Sequence, residues 1–166
     1  MAVPGERTEA VTEARSRSGC VRRYAPLLLW MGFIFFASTG EFSAGNTSRI
    51  LRPLLLWLFP GISEEGLTTA HFLVRKAAHF SEYAVLGFLA ARAFTRSSRQ
   101  VLSGHWFFAA LLLVVLYALS DEFHQSFVAS RTASIYDSLI DIAGGLTALL
   151  LYALWRRRAG RTGERI

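Results

Sequence analysis

The chain has one cysteine, Cys20, in 166 residues. A single thiol excludes an intramolecular disulfide and the paired spacing of a thiolate zinc site, and it leaves the redox compartment undetermined. No H-E-x-x-H occurs, and Asp121-Glu-Phe-His124-Gln lacks a second spaced histidine, so no metal and no cofactor is expected, although His and carboxylates would suit zinc or manganese. The first 20 residues contain no apolar run and cannot form a signal-peptide core. The apolar stretch that follows is not closed by an A-x-A cleavage site, so a retained helix is expected there. The order Ser18, Gly19, Cys20 is not a lipobox, because the apolar segment lies after the cysteine.

Apolar residues make up 52% of the chain and mean hydropathy is positive, both high for a soluble domain of this size. They are gathered into blocks, with the 18% of charged residues between and beyond them. The net charge of +6 therefore reflects tails and loops flanking apolar blocks, which favours a membrane partner and excludes nucleic acid as the expected one.

Four blocks predict an all-α bundle of four transmembrane helices. The first, 24–39, is uncharged, near the lower limit of the ~17 to 25 residues a span needs, and carries Pro26 in its opening turn. The second, 72–94, opens with polar residues and then becomes apolar. The third runs from Trp106 to Leu119 and continues into Ser120-Asp121-Glu122-Phe123-His124-Gln125. The fourth, 135–155, has Asp137 and Asp141 in its first two turns, a capping pattern from Ser134 to Asp137, and closes on Arg156-Arg157-Arg158. Between the first two blocks, 50–59 is too short to span. It reads either as a short interfacial helix anchored by Trp57 or as a loop packed on the bundle. This divides the chain into a basic, unstructured tail at 1–22, a transmembrane domain at 23–156 and a second basic tail at 157–166.

Thirteen arginines fall in the two tails and the 92–104 loop, against Arg49, Arg52, Arg75, Lys76 and Arg131 elsewhere. By the positive-inside rule both termini are expected in the cytoplasm of a multi-pass inner-membrane protein, with every polar helix end facing outward. Contact of the arginine tails with anionic head groups is a secondary expectation beside this topological role.

Ionised groups at bilayer depth cost at least ~2.5 to 3.5 kcal/mol, so the polar helix ends need partners or water. Arg75, His79 and Glu82 share a face by their spacing, with Lys76 and Tyr83 flanking it, and Asp121, His124 and Gln125 share another. Asp137 and Asp141 lie one turn apart and precede Gly144 and Gly145, which permit close helix approach. Convergence of the three faces would form one outward-open pocket with Arg131 as a further cation. The competing reading is a set of structural ion pairs that fixes helix register. Glu122 and Lys76 are expected to be solvated. His79, Glu82, Asp121 and His124 are the candidates for acid/base catalysis, without an accompanying nucleophile signature.

The segments Arg75-Lys76-Ala-Ala-His79-Phe-Ser-Glu82-Tyr83-Ala-Val-Leu86-Gly87, Ser120-Asp121-Glu122-Phe123-His124-Gln125-Ser-Phe127 and Arg131-Thr-Ala-Ser134-Ile-Tyr-Asp137, followed by Gly144-Gly145, resemble the VanZ-like family of bacterial membrane proteins. The likeness covers about 24–155. It implies a four-helix membrane protein of the cell envelope, in a family whose named member is associated with antibiotic resistance through lowered teicoplanin susceptibility. It also implies site roles for Arg75, Lys76, His79, Glu82, Tyr83, Asp121, Glu122, His124, Gln125, Arg131 and Asp137. Asp141 departs from the pattern, which commonly shows Asn there. The leading expectation is a protein that contacts membrane lipids and binds an envelope lipid or glycan precursor through this cluster. A membrane-embedded hydrolase or transferase, and a structural partner of another envelope protein, are the rivals. No oligomeric state follows from the sequence.

Overall fold

A computed structural model of the chain describes residues 4–39, 44–127 and 135–163, with side chains for 19–39, 48–127 and 135–160. Regular structure among the described residues is entirely helical: α1 (Pro4–Ala37), α2 (Ala44–Leu58), α3 (Glu64–Thr95), α4 (Gln100–Gly104), α5 (Trp106–Gln125) and α6 (Ile135–Gly163).

Among the described residues three helical stretches are long and apolar enough to cross a membrane: 19–37, 106–125 and 135–160. The expected fourth span is absent from this set. α3 has 32 residues, about 48 Å at 1.5 Å per residue, so length is not its defect. Arg75, Lys76, His79, Glu82 and Arg92 lower its hydropathy instead. These charges are tolerated because α3 is the central helix, in contact with every other one and most extensively with α6.

Two boundaries differ from the sequence expectation. The polar N-terminal segment continues as backbone helix into the apolar half of α1 rather than forming an unstructured tail, so Pro26 lies in a helix interior and not in an opening turn. A proline there removes the amide that would bond the Arg22 carbonyl four residues back. The segment after α1 is helical over Ala44–Leu58, longer than 50–59, and also contains an internal proline, Pro53. α3 begins at a capped end, where the Ser63 hydroxyl accepts from the Gly66 amide at 3.1 Å and Glu64 and Glu65 occupy the positive first turn.

The packing is that of a molecule surrounded by an apolar solvent. Its core consists largely of small residues, Ala90, Ala91, Ala93, Ala110 and Ala118, with Leu86, Val114 and Leu149 between them. Large side chains such as Leu29, Phe35, Phe88, Phe108, Leu112 and Leu151 point outward. Where lipid offers no hydrophobic drive for helix association, small residues bring backbones close enough for dispersion contacts. The closest approach is between α3 and α6: a Cβ added to Gly87 would meet the Gly145 carbonyl oxygen at 2.6 Å, and one added to Gly144 would overlap the Phe80 carbonyl.

Candidate functional site

Each of α3, α5 and α6 carries one inward stripe that is polar at one end and small or apolar at the other. On α3 it runs Lys76, His79, Tyr83, Leu86, Gly87, Ala90. On α6 it runs Asp137, Asp141, Gly144, Gly145, Leu149, and on the antiparallel α5 it runs in reverse order from Gln125 and Asp121 through Ala118 and Val114 to Ala110. The glycine and alanine ends seat the helices against one another, and the polar ends are thereby held together inside the bundle.

Lys76 forms an ion pair with Asp137, and its Nζ lies 5.1 Å from the centre of the Phe72 ring. One turn further, His79 Nδ1 is 3.2 Å from Asp141 Oδ1, with Asp141 only 1% exposed. Asp121 accepts from Gln125 Nε2 at 3.0 Å, and the same amide reaches Ser38 Oγ, just past the end of α1, at 3.4 Å. Tyr83 is fully buried at the centre, with its hydroxyl within electrostatic reach of Asp121, Asp141 and Glu82. Among the described residues that hydroxyl, Ser138 Oγ and His124 Nδ1 are buried without a hydrogen-bond partner.

The register on α3 differs from the sequence reading. Lys76 and Tyr83, assigned to the flanks, lie on the inward face, whereas Arg75 and Glu82 are half-buried at its edge. Lys76 is a half-buried ion-pair partner rather than a solvated cation, and Glu122 is buried, at 9% exposure. Both are corrections with one cause: the α3 and α5 stripes face α6, and their polar members are enclosed with the rest. Arg75 makes no ion pair among the described residues. His124 sits beside α1, its ring centre 4.6 Å from that of Phe35. Asp137 is in the first turn of α6 and pairs with Lys76; Arg131 and the Ser134 of the expected cap lie outside the described residues.

Four contributors carried no decisive sequence signal. Ser38 and Ser138 are buried polar groups beside the cluster, and nothing in their sequence context distinguishes them from loop or surface serines. Trp30 donates through Nε1 to the Glu82 carbonyl at 2.9 Å, and the Tyr117 hydroxyl donates to the Met31 carbonyl at 2.5 Å. These two bonds fasten α1 to α3 and α5 at the level of the cluster.

Chemically, the arrangement offers carboxylates that accept hydrogen bonds, hydroxyls that both donate and accept, and one lysine cation. Carboxylates outnumber cations among these residues, which suits a hydroxyl-rich ligand better than a free anion. His79 and Asp141 also form the orienting half of a general-base pair.

Residues 24–156 match the model of a family described as VanZ/LLP1. The chain matches no curated protein and no solved structure.

Proposed function

The chain belongs to the VanZ/LLP1 family, whose model runs through the whole polar cluster, and from that premise we propose a bacterial envelope protein that binds the glycan portion of a lipid-linked envelope precursor. In this reading α3 is the fourth membrane-crossing helix, sheathed by α1, α5 and α6, with Phe80, Val85 and Phe88 on its outer face. Both termini are cytoplasmic, following the arginine distribution, and the polar cluster opens toward the outer side of the inner membrane. The ligand's lipid chain would remain among the apolar helices while its sugar hydroxyls bond to Asp121, Asp137, Asp141 and Tyr83. Arg75, Lys76, His79, Glu82, His124, Gln125 and Arg131 complete the binding set. A link to teicoplanin susceptibility would follow from occupancy of such a precursor.

The observation that carries this reading is the Tyr83 hydroxyl, wholly buried yet without a hydrogen-bond partner among the described residues. Leaving a buried polar group unsatisfied costs about 1 to 3 kcal/mol, so selection for stability alone would favour phenylalanine there. A hydroxyl retained at that cost supports a ligand that completes it. The His79 and Asp141 pair favours one second reading, a hydrolase or transferase with His79 as base; accumulation of a cleaved precursor in the presence of the protein is its distinguishing sign.

The test uses Tyr83→Phe and Asp121→Asn in cells whose glycopeptide susceptibility depends on the wild-type protein. Both variants are expected to insert at wild-type levels and to lose the phenotype, with Tyr83→Phe at least as heat-stable as wild type. Retention of the phenotype by Tyr83→Phe would leave the cluster as a device for helix register only.

A further inference from the structure

The geometry points to a second ligand site at the opposite end of the bundle, where four arginines and an apolar groove together hold an anionic phospholipid of the surrounding bilayer. Arg22 and Arg23 of α1 converge with Arg92 and Arg96, at the end of α3, on one cleft of about 270 Å³. None of the four is in an ion pair among the described residues; a guanidinium contact runs from Arg23 to Ser98 Oγ at 3.5 Å. Four arginines lining one cleft without an acidic partner among the described residues repel one another, and a phosphate accepting their N–H groups relieves that repulsion with charge-assisted bonds.

Arg92 and Arg96 also border an open groove of about 600 Å³ between α3 and α6, walled by Phe88, Leu151, Tyr152 and Trp155. That volume falls in the range of small-molecule sites, and its lining matches an acyl chain. Tyr152 fixes the wall, because its ring meets those of Phe88, Trp106 and Trp155 at 5.8, 5.5 and 5.7 Å and its hydroxyl lies 3.1 Å from Thr95 Oγ1. A cluster of Tyr and Trp beside arginines is the composition of a membrane interface, which sets this end at head-group depth. The topological role of arginine explains why basic residues collect at one end. It does not require that they line one cleft from two helices, nor that two of them also border an apolar groove, whereas basic pockets between helices are the established form of phosphate head-group sites.

The experiment titrates delipidated full-length protein in detergent with phosphatidylglycerol, phosphatidylcholine or free glycerol 3-phosphate and reads bound adducts by native mass spectrometry. Phosphatidylglycerol is expected to be retained over phosphatidylcholine, and glycerol 3-phosphate, which lacks the chains, is expected to bind much more weakly. The pair Arg92→Gln with Arg96→Gln should weaken phosphatidylglycerol binding about thirtyfold, about fivefold for each arginine. Arg22→Gln with Arg23→Gln should act similarly from the other helix and carries the test should the first pair fail to fold. Arg157→Gln with Arg158→Gln removes equal charge outside the cleft and is expected to leave the affinity within twofold. Equal retention of phosphatidylcholine, equal binding of glycerol 3-phosphate, or equal loss in the 157/158 control would each overturn the proposal.

Discussion

Lys76, the only lysine of the chain, is enclosed against Asp137 within the bundle, whereas Arg22, Arg23, Arg92 and Arg96 crowd together at the other end without an ion pair among the described residues. At the polar end Lys76 and His79 each meet a carboxylate from another helix, Asp137 and Asp141 of α6. At the arginine end Arg156 lies over an aromatic ring, 5.8 Å from the centre of Trp106. Proximity of charge to a helix end therefore does not reveal its role. The supply of partners does, because enclosed charge must be matched within the protein and interfacial charge can be matched by what surrounds it.

The contrast extends to the glycines, where one substitution should have opposite signs at the two ends. Gly144→Ala, beside the polar cluster, drives a methyl group into the Phe80 backbone carbonyl, and neither helix can yield by a rotamer change. The expected loss is about 3 kcal/mol, at the upper end of overpacking penalties, because backbone is the obstacle. Gly160→Ala meets nothing within 4 Å and should gain about 0.5 to 1 kcal/mol from helix propensity. Thermal unfolding of the two purified variants separates the cases. Loss of stability by both would mean that the arginine end is as closely packed as the centre.

Next in size is the enclosed ion pair. Asp137→Ala leaves Lys76 without its partner, and because the lysine side chain keeps 21% exposure the full buried-charge penalty does not apply. A loss of about 2 kcal/mol is expected. Joining Lys76→Met to Asp137→Leu should recover most of it, since apolar groups of similar size fill the same space. Recovery of stability without recovery of the envelope phenotype would separate the fold from the function of this end.

The long apolar helices, the close approach at Gly144 and Gly145 and the gathering of polar groups at one end were legible in the sequence, because each depends on spacing along a single helix. The register of α3 was not. Arg75, His79 and Glu82 form a valid i, i+4, i+7 series, and Lys76, His79 and Tyr83 form an equally valid one. What decides between them is continuation: the second series runs on into Leu86, Gly87 and Ala90, all inward, where small residues let α6 approach. That signal was present and outweighed by charge. Burial of Glu122 and the roles of Ser38 and Ser138 depend on which helix lies opposite, and spacing within one helix carries no such information.

The smallest effect is expected where an ion pair has good geometry and little burial. Arg52 of α2 donates to both carboxylate oxygens of Glu64, at 2.6 and 3.1 Å, yet the two side chains are 51% and 75% exposed. Water screens the attraction, and holding two long side chains in one arrangement has an entropic cost, so Arg52→Gln should lose no more than about 0.5 kcal/mol. Glu64 has a second role that Arg52 lacks, because it occupies the first turn of α3, where a carboxylate faces the positive end of the helix. Glu64→Gln should therefore cost a few tenths of a kcal/mol more than Arg52→Gln, and raising the salt concentration should shrink the loss in both variants. Equal losses that salt does not diminish would mean that this pair behaves like the enclosed Lys76 and Asp137 pair, and exposure would then not be what divides the charges of this molecule into two kinds.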